Sequence, residues 1–216
     1  MENKKYILFD LDGTIIEPKE GITKSIAYAL DHFNIHIEDL DSLCKYIGPP
    51  FREIFMEDYG FSREEVEKVL GKYRERFSKF GVYENELYPG MENLLKNLKY
   101  KKLIIATSKP TIFAEKILDY HNVKQYFHFI GGCELNGERS TKGEVIKYVL
   151  DYNQISSKDE VVMIGDRKYD VFGAKENDIE SIGVLYGYGG FEELSGAGAD
   201  YLAETVEDLL KMLIKE

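Results

Sequence analysis

Short apolar runs that stop abruptly at Asp, Thr or Gly constrain this chain more than any other feature. Tyr6–Phe9 stops at Asp10, Leu103–Ala106 at Thr107, and Val161–Ile164 at Gly165. Ser181–Val184 is a further strand candidate, and Phe127–Ile130 and the short Asp200–Leu202 are less regular ones. Runs apolar at every position suit strands covered on both faces, as in parallel sheets. Between them lie stretches of helical spacing: Met91–Lys99, Pro110–Tyr120, Lys142–Tyr152, Tyr169–Glu176 and Glu204–Ile214. Strands alternating with helices predict an α/β fold with a doubly wound parallel sheet.

Residues 19 to about 80 break the alternation. They hold no strand pattern. Ile22, Ile26, Ala29, Leu30 and Phe33 recur at helical spacing, as do Val66, Val69, Leu70, Tyr73, Phe77 and Phe80. Ser62 and Glu65 have the spacing of a capping box, with Phe61 and Val66 as its staple. "IGPPF", Ile47 to Phe51, predicts the end of one helix and the start of another, with Pro in the first turn. The expected organisation is a core of residues 1–18 and 82–216 with an all-helical insertion over 19–81. The polar joins near Glu17–Glu20 and Gly81–Leu87 read as a hinge pair.

Composition removes several classes of function. At 216 residues the chain can bury a core without disulfides or structural metal. A net charge of −11 is the wrong sign for a general nucleic-acid binder, so no nucleic-acid partner is expected. An anionic substrate would need a local positive group or a metal against that field. No apolar stretch approaches the ~18 residues of a membrane span, so no membrane partner is expected. The short apolar stretch after Lys4 and Lys5 stops at Asp10, which does not make a signal peptide. Cys44 and Cys133 lie far apart in no ligand spacing and are expected as reduced thiols in a cytoplasmic protein.

Four polar clusters carry the chemistry. They are Asp10-x-Asp12-Gly13-Thr14, Thr107-Ser108-Lys109-Pro110, Lys142 in "RSTKGE", and Gly165-Asp166 with Asp170 in "IGDRKYD". In a parallel sheet the carboxyl ends of strands share one rim. The first, second and fourth clusters therefore meet there, and the helix opening at Thr141–Gly143 can bring Lys142 to them. Taken alone, "DLDGT" could be a turn or a calcium loop. An EF-hand needs a preceding helix and a glycine one position later, whereas here a strand precedes. Thr107 and Ser108 could merely cap a helix, and Lys142 could be a solvated lysine.

Together, "DLDGT", "ATSKP", Lys142 and "GDRKYD" resemble, in order and spacing over almost the whole chain, the haloacid dehalogenase superfamily of phosphohydrolases. The helical insertion is similar to that family's C1-type cap. "FDLDGTIIEPKEGITKSIAYAL" and "IGPP" look most like its phosphoglycolate phosphatase-like branch. The resemblance implies a Rossmann-like core, Asp10 as nucleophile and Asp12 as general acid and base. It implies phosphate binding by Thr107, Ser108, Lys109 and Lys142, helped by N–H groups near Leu11–Asp12 and at a helix start at Ser108–Lys109. It implies Mg²⁺ held by Asp10, the Asp12 carbonyl and Asp166, with Asp170 binding directly or through water. Arg52, Lys45 and Lys19 of the insertion are candidate substrate contacts.

The expected activity is hydrolysis of a small phosphorylated metabolite: phosphoglycolate, a nucleoside monophosphate or a sugar phosphate. The alternatives are a phosphomutase of the same fold, an inorganic pyrophosphatase, or a non-catalytic phosphometabolite sensor. The chain is expected to act as a monomer or weak homo-oligomer. His32, His36, His121 and His128 show no ligand spacing.

Overall fold

The computed structural model describes residue 1 and residues 3–49 and 51–214. Pro50, placed above in a first helical turn, lies outside the described residues. The chain divides into two compact units, Pro18–Glu86 and Met1–Glu17 with Leu87–Glu216.

Among the described residues the smaller unit carries the α-helices α1 (Lys19–Asp31), α2 (Phe51–Tyr59) and α3 (Arg63–Phe77). A 3₁₀ turn over Leu40–Tyr46 stands where "IGPPF" predicts the end of a helix. The capping box forms as the spacing predicts: Ser62 Oγ accepts from Glu65 N at 3.3 Å, and Ser62 N donates to Glu65 Oε2 at 2.9 Å. Phe61 stacks on Tyr59 and tilts against Phe33. The interior is aromatic: Phe55 stacks on Tyr46, and Tyr73 lies between Phe51 and Phe77. Fully burying one such ring is worth about 1.5–3 kcal/mol.

The larger unit is built on strands β1 (Tyr6–Phe9), β4 (Lys102–Pro110), β5 (Phe127–Cys133), β6 (Val161–Gly165), β7 (Glu180–Val184) and β8 (Tyr201–Ala203). They form one sheet in the order β5-β4-β1-β6-β7-β8, every pairing parallel. The short β2 (Ile16–Glu17) and β3 (Glu86–Leu87) make a separate two-stranded sheet. Helices α4 (Met91–Asn97), α5 (Thr111–Tyr120), α6 (Lys142–Tyr152), α7 (Lys168–Glu176) and α8 (Gly190–Ala197) lie in the connections between strands, and α9 (Val206–Leu213) follows the last strand. Ile7, Leu8 and Phe9 of the central strand have no exposed surface, which accounts for the unbroken apolar run. Leu8, Ile104 and Met163 pack against Val145, Ile146 and Val149 of α6. The doubly wound α/β fold expected from the sequence is the fold observed.

One boundary departs from expectation. β4 continues to Pro110 and α5 begins only at Thr111, so Ser108 and Lys109 end a strand rather than start a helix. A residue before proline is pushed toward extended backbone, which disfavours helix at Lys109. The strand also closes tightly on β5: a Cβ at Gly132 would lie 2.4 Å from the Lys109 carbonyl oxygen.

Candidate active site

β1 pairs in register with β4 on one side and β6 on the other, Phe9 lying between Ile105 and Ile164. The residues just beyond them, Asp10, Thr107 and Asp166, therefore share the carboxyl rim of three adjacent strands. All three are buried, together with Lys109, Lys142 and Asp170.

Lys142 reaches the rim because the capping box of α6 fixes the helix start one residue earlier. Thr141 Oγ1 accepts from Glu144 N at 3.2 Å, and Thr141 N donates to Glu144 Oε2 at 3.0 Å. The Lys142 ammonium then donates to the Ala106 carbonyl at 3.0 Å and lies 2.8 Å from both Asp10 Oδ1 and Asp170 Oδ1. Burial works against its charge, but Asp10 and Asp170 outweigh burial and raise its pKa. Its stem passes under α7 at Gly173, where a Cβ would come within 2.9 Å of Lys142 Cγ.

The acids are held by main-chain donors. Leu11 N donates to Asp10 Oδ1 at 2.7 Å, Tyr188 N to Asp166 Oδ2 at 2.8 Å, and Arg167 N to Asp170 Oδ2 at 3.1 Å. Thr14 Oγ1 donates weakly to Asp166 Oδ1, at 3.4 Å. Gly13 has φ +76°, and a Cβ there would collide with the Asp166 carboxylate at 2.2 Å. Only glycine lets the chain after Asp12 turn that closely past Asp166.

Asp12 stands apart from this cluster. Lys109 Nζ donates to its Oδ2 at 2.5 Å, while its Oδ1 is buried without a hydrogen-bond partner. Burial raises the Asp12 pKa, and the pull of Lys109 offsets this only in part. Lys109, expected at a phosphate, is thus found on Asp12. Its N–H donates to Thr107 Oγ1 at 3.2 Å. The Leu11 and Lys109 N–H groups, expected in a phosphate cradle, are engaged within the chain.

Asp10, Asp166 and Asp170 each offer a carboxylate oxygen, and these oxygens lie within 4.8 Å of one another. Three acids facing one ammonium leave the cluster net negative. Burial, then Asp170 and Asp10, push Asp166 well above the usual carboxylate range. Burial lifts Asp170 to about 6, against the pull of Lys142 and with the push of Asp10. Asp170 Oδ1 is sealed from solvent and has no well-aligned hydrogen bond although Lys142 is near. An all-carboxylate donor set with a buried, unbonded oxygen fits a hard divalent cation such as Mg²⁺.

Arg52, Lys45 and Lys19 belong to the helical unit, and each is ion-paired there. Arg52 Nε lies 2.6 Å from Glu67, Lys45 Nζ 2.5 Å from Asp58, and Lys19 Nζ 2.8 Å from Asp41. Thr14, which belongs to the first polar cluster of the sequence, is placed on Asp166. The turn Gly187–Tyr188–Gly189 lies in none of the four clusters, and its signal is the glycine-rich "YGYGG" after β7.

The rim of the doubly wound sheet thus gathers two aspartates that follow the first strand, a buried lysine and two later acids. Residues 7–184 match the haloacid dehalogenase-like hydrolase family, and the chain belongs to it. A crystal structure of "a predicted phosphatase" from Clostridium acetobutylicum superposes with a TM-score of 0.94 at 46% identity, covering 97% of each chain. A 5'-nucleotidase of Pseudomonas aeruginosa is 42% identical over 190 residues, 87% of this chain and 86% of that protein. A phosphoglycolate phosphatase of Vibrio parahaemolyticus is 26% identical over 219 residues, 97% of this chain and 96% of that protein. Among the described residues no helix is long and apolar enough to cross a membrane.

Proposed function

We propose that the protein is a divalent-cation-dependent phosphatase that hydrolyses a small phosphomonoester, with a nucleoside 5'-monophosphate as the first substrate to try. The observation that carries the phosphatase reading is the convergence of Asp10, Lys142, Asp166 and Asp170 at one buried rim, with Asp12 beside them but separately held. The nucleotide preference rests on the 42% identity to a 5'-nucleotidase. Phosphoglycolate, sugar phosphates and pyrophosphate follow as alternatives.

In this reading the Asp10 carboxylate attacks phosphorus and the bond to the leaving oxygen breaks, leaving an aspartyl-phosphate. Asp12 gives its proton to the leaving oxygen. It then takes a proton from the water that attacks the aspartyl-phosphate, releasing phosphate and restoring Asp10. A raised pKa suits Asp12 to this, because the residue must hold a proton before the first step. Lys142 and Thr107 bind the phosphoryl oxygens, with Ser108 at the strand end beside them. Mg²⁺ would be held by the carboxylates of Asp10, Asp166 and Asp170 and the Asp12 carbonyl, and when bound it offsets the charge between carboxylate and phosphate. The unit Pro18–Glu86 corresponds to the cap of the family resemblance, and discrimination among leaving groups is assigned to it.

The test is phosphate release by the purified protein with Mg²⁺ on a panel of nucleoside monophosphates, phosphoglycolate, sugar phosphates and pyrophosphate. Turnover of a nucleoside 5'-monophosphate above the rest supports the full reading. Turnover of another member corrects the substrate alone. Silence on the whole panel overturns the phosphatase assignment.

A further inference from the structure

Asp166 follows β6 and Asp170 lies in the first turn of α7, and the turn that joins them is gripped from outside the cluster. Glu193, on α8, is the grip. Its carboxylate accepts from Arg167 Nε at 2.9 Å and Arg167 Nη2 at 3.2 Å, and Oε1 also accepts from Lys168 N at 2.9 Å. One side chain therefore fixes both residues that follow Asp166, including the first main-chain donor of α7. Arg167 N in turn donates to Asp170 Oδ2.

The segment that leads to Glu193 closes on Asp166 from the other side. Tyr188 N donates to Asp166 Oδ2, and Gly189 N donates to its carbonyl at 3.0 Å. There is no room for slack. A Cβ at Gly187 would lie 2.3 Å from Asp166 Cβ, and one at Gly189 would lie 2.3 Å from the Asp166 carbonyl oxygen. Glu193 anchors this segment three residues into α8, so the turn and the segment are locked as a pair.

We propose that Glu193 is a positioning residue for the divalent-cation site, holding the turn Gly165–Asp170 so that the Asp166 and Asp170 carboxylates face Asp10 at ligand distance. The inference rests on the metal-dependent reading above. Glu193 accepts hydrogen bonds from the residues between the acids, Arg167 and Lys168. It acts through Arg167 and the Lys168 N–H, as outer hydrogen bonds orient ligating carboxylates in metal sites.

The test is calorimetric titration of Mg²⁺ into the whole protein without substrate. Glu193→Ala is expected to weaken Mg²⁺ binding about tenfold or more, the range in which lost outer-shell partners act. Glu193→Gln keeps a side-chain oxygen that can accept from Arg167 and Lys168, so its affinity is expected within about threefold of wild type. Both variants remove the same charge, so equal losses would mark a long-range electrostatic effect and overturn the positioning role. Leu209→Ala truncates a buried residue of α9 and is expected to lower the denaturation midpoint while leaving Mg²⁺ affinity unchanged. If it weakens Mg²⁺ as much as Glu193→Ala does, the effect is general loss of stability and the inference fails. Wild-type affinity in Glu193→Ala overturns the inference alone. A wild-type protein that binds no divalent cation overturns the metal-dependent reading and the inference with it.

Discussion

Lys142 and Lys45 are both lysines held against aspartate, at 2.8 Å from Asp10 and 2.5 Å from Asp58. The Lys142 side chain is 4% exposed and the Lys45 side chain 61%. The contrast extends to the units that carry them. In the larger unit charge is buried and convergent: Lys142 meets Asp10, Asp166 and Asp170 at a strand rim, with the Lys109–Asp12 pair held beside them. In the helical unit Arg52, Lys45 and Lys19 lie near the surface, each with its own acid, around an aromatic interior. Exposed pairs cost little and contribute little. Buried charge is expensive and persists where several groups compensate one another or where function needs it. The rim is thus where like charges are gathered out of water, whereas Arg76–Glu84, a more covered ion pair of the helical unit, joins opposite charges with side chains 17% and 22% exposed.

The largest expected break in this comparison is Asp10→Asn. An amide cannot attack phosphorus as a carboxylate does, so turnover is expected to fall at least about 1,000-fold while the far-UV circular dichroism is unchanged. Residual turnover within tenfold of wild type would remove Asp10 as nucleophile.

Lys142→Met comes next. It takes away the ammonium shared by Asp10, Asp170 and the Ala106 carbonyl and leaves both acids without their cation. Breaking a buried pair from one side costs about 3–5 kcal/mol, so a large drop in the urea midpoint is expected in the metal-free protein. Saturating Mg²⁺ should recover part of it, since a cation at the three carboxylates replaces some of the lost charge. A midpoint equal to wild type without metal would show that the like charges gathered at the rim carry no such cost.

These contrasts also show which parts of the molecule the sequence makes legible. The strands are legible because a strand buried on both faces must be apolar at every position, as Ile7–Phe9 and Val161–Ile164 are. The rim is legible because strand ends of a parallel sheet have nowhere else to go. Asp10, Thr107 and Asp166 could be placed together from order alone. What sequence could not show was pairing. Lys109 follows Thr107 in a motif that resembles a phosphate binder, yet its ammonium is spent on Asp12, 97 residues away in the chain. Lys19, Lys45 and Arg52 looked available because nothing in local spacing reveals Asp41, Asp58 or Glu67 as partners. Glu193 was invisible for the same reason, since its partners Arg167 and Lys168 are reached through tertiary packing.

A smaller effect tests the gathered acids by titration. Asp170 is lifted to about 6, and burial pushes Asp166 well above the usual carboxylate range, so both hold protons more tightly folded than unfolded. Such groups contribute stability that is complete below the unfolded carboxylate pKa of about 4 and is lost as pH rises through the folded value. Above about pH 5.5 the acids with lowered pKa are ionised in both folded and unfolded states and no longer contribute to the slope. The denaturation midpoint of the metal-free protein is therefore expected to fall from about pH 5.5 to 7, by on the order of a few °C. Excess Mg²⁺ should flatten or reverse the slope, because the cation binds the deprotonated acids and its contribution grows with pH. Asp170→Asn should reduce the slope in the metal-free protein. A midpoint that rises across this window without metal would place the two acids in comfortable surroundings and contradict the cluster's net negative charge.

The smallest effect is expected from Arg52→Ala, on the other side of the comparison. The Arg52–Glu67 pair is open to solvent, with side chains 38% and 53% exposed, so its loss should cost below about 1 kcal/mol of stability. Its kinetic effect is the sharper measurement. Arg52 already has Nε and Nη2 on Glu67, at 2.6 and 3.4 Å, so recruiting it to a phosphorylated substrate would require giving up that carboxylate. Kinetics of Arg52→Ala on the preferred substrate are therefore expected to show KM within about threefold of wild type, since the net gain from exchanging one exposed anion partner for another is small. A rise in KM of tenfold or more with kcat unchanged would mean that substrate outcompetes Glu67. It would then identify Arg52 as a specificity residue, and Glu67→Gln, which releases the guanidinium in advance, should lower KM by the same logic.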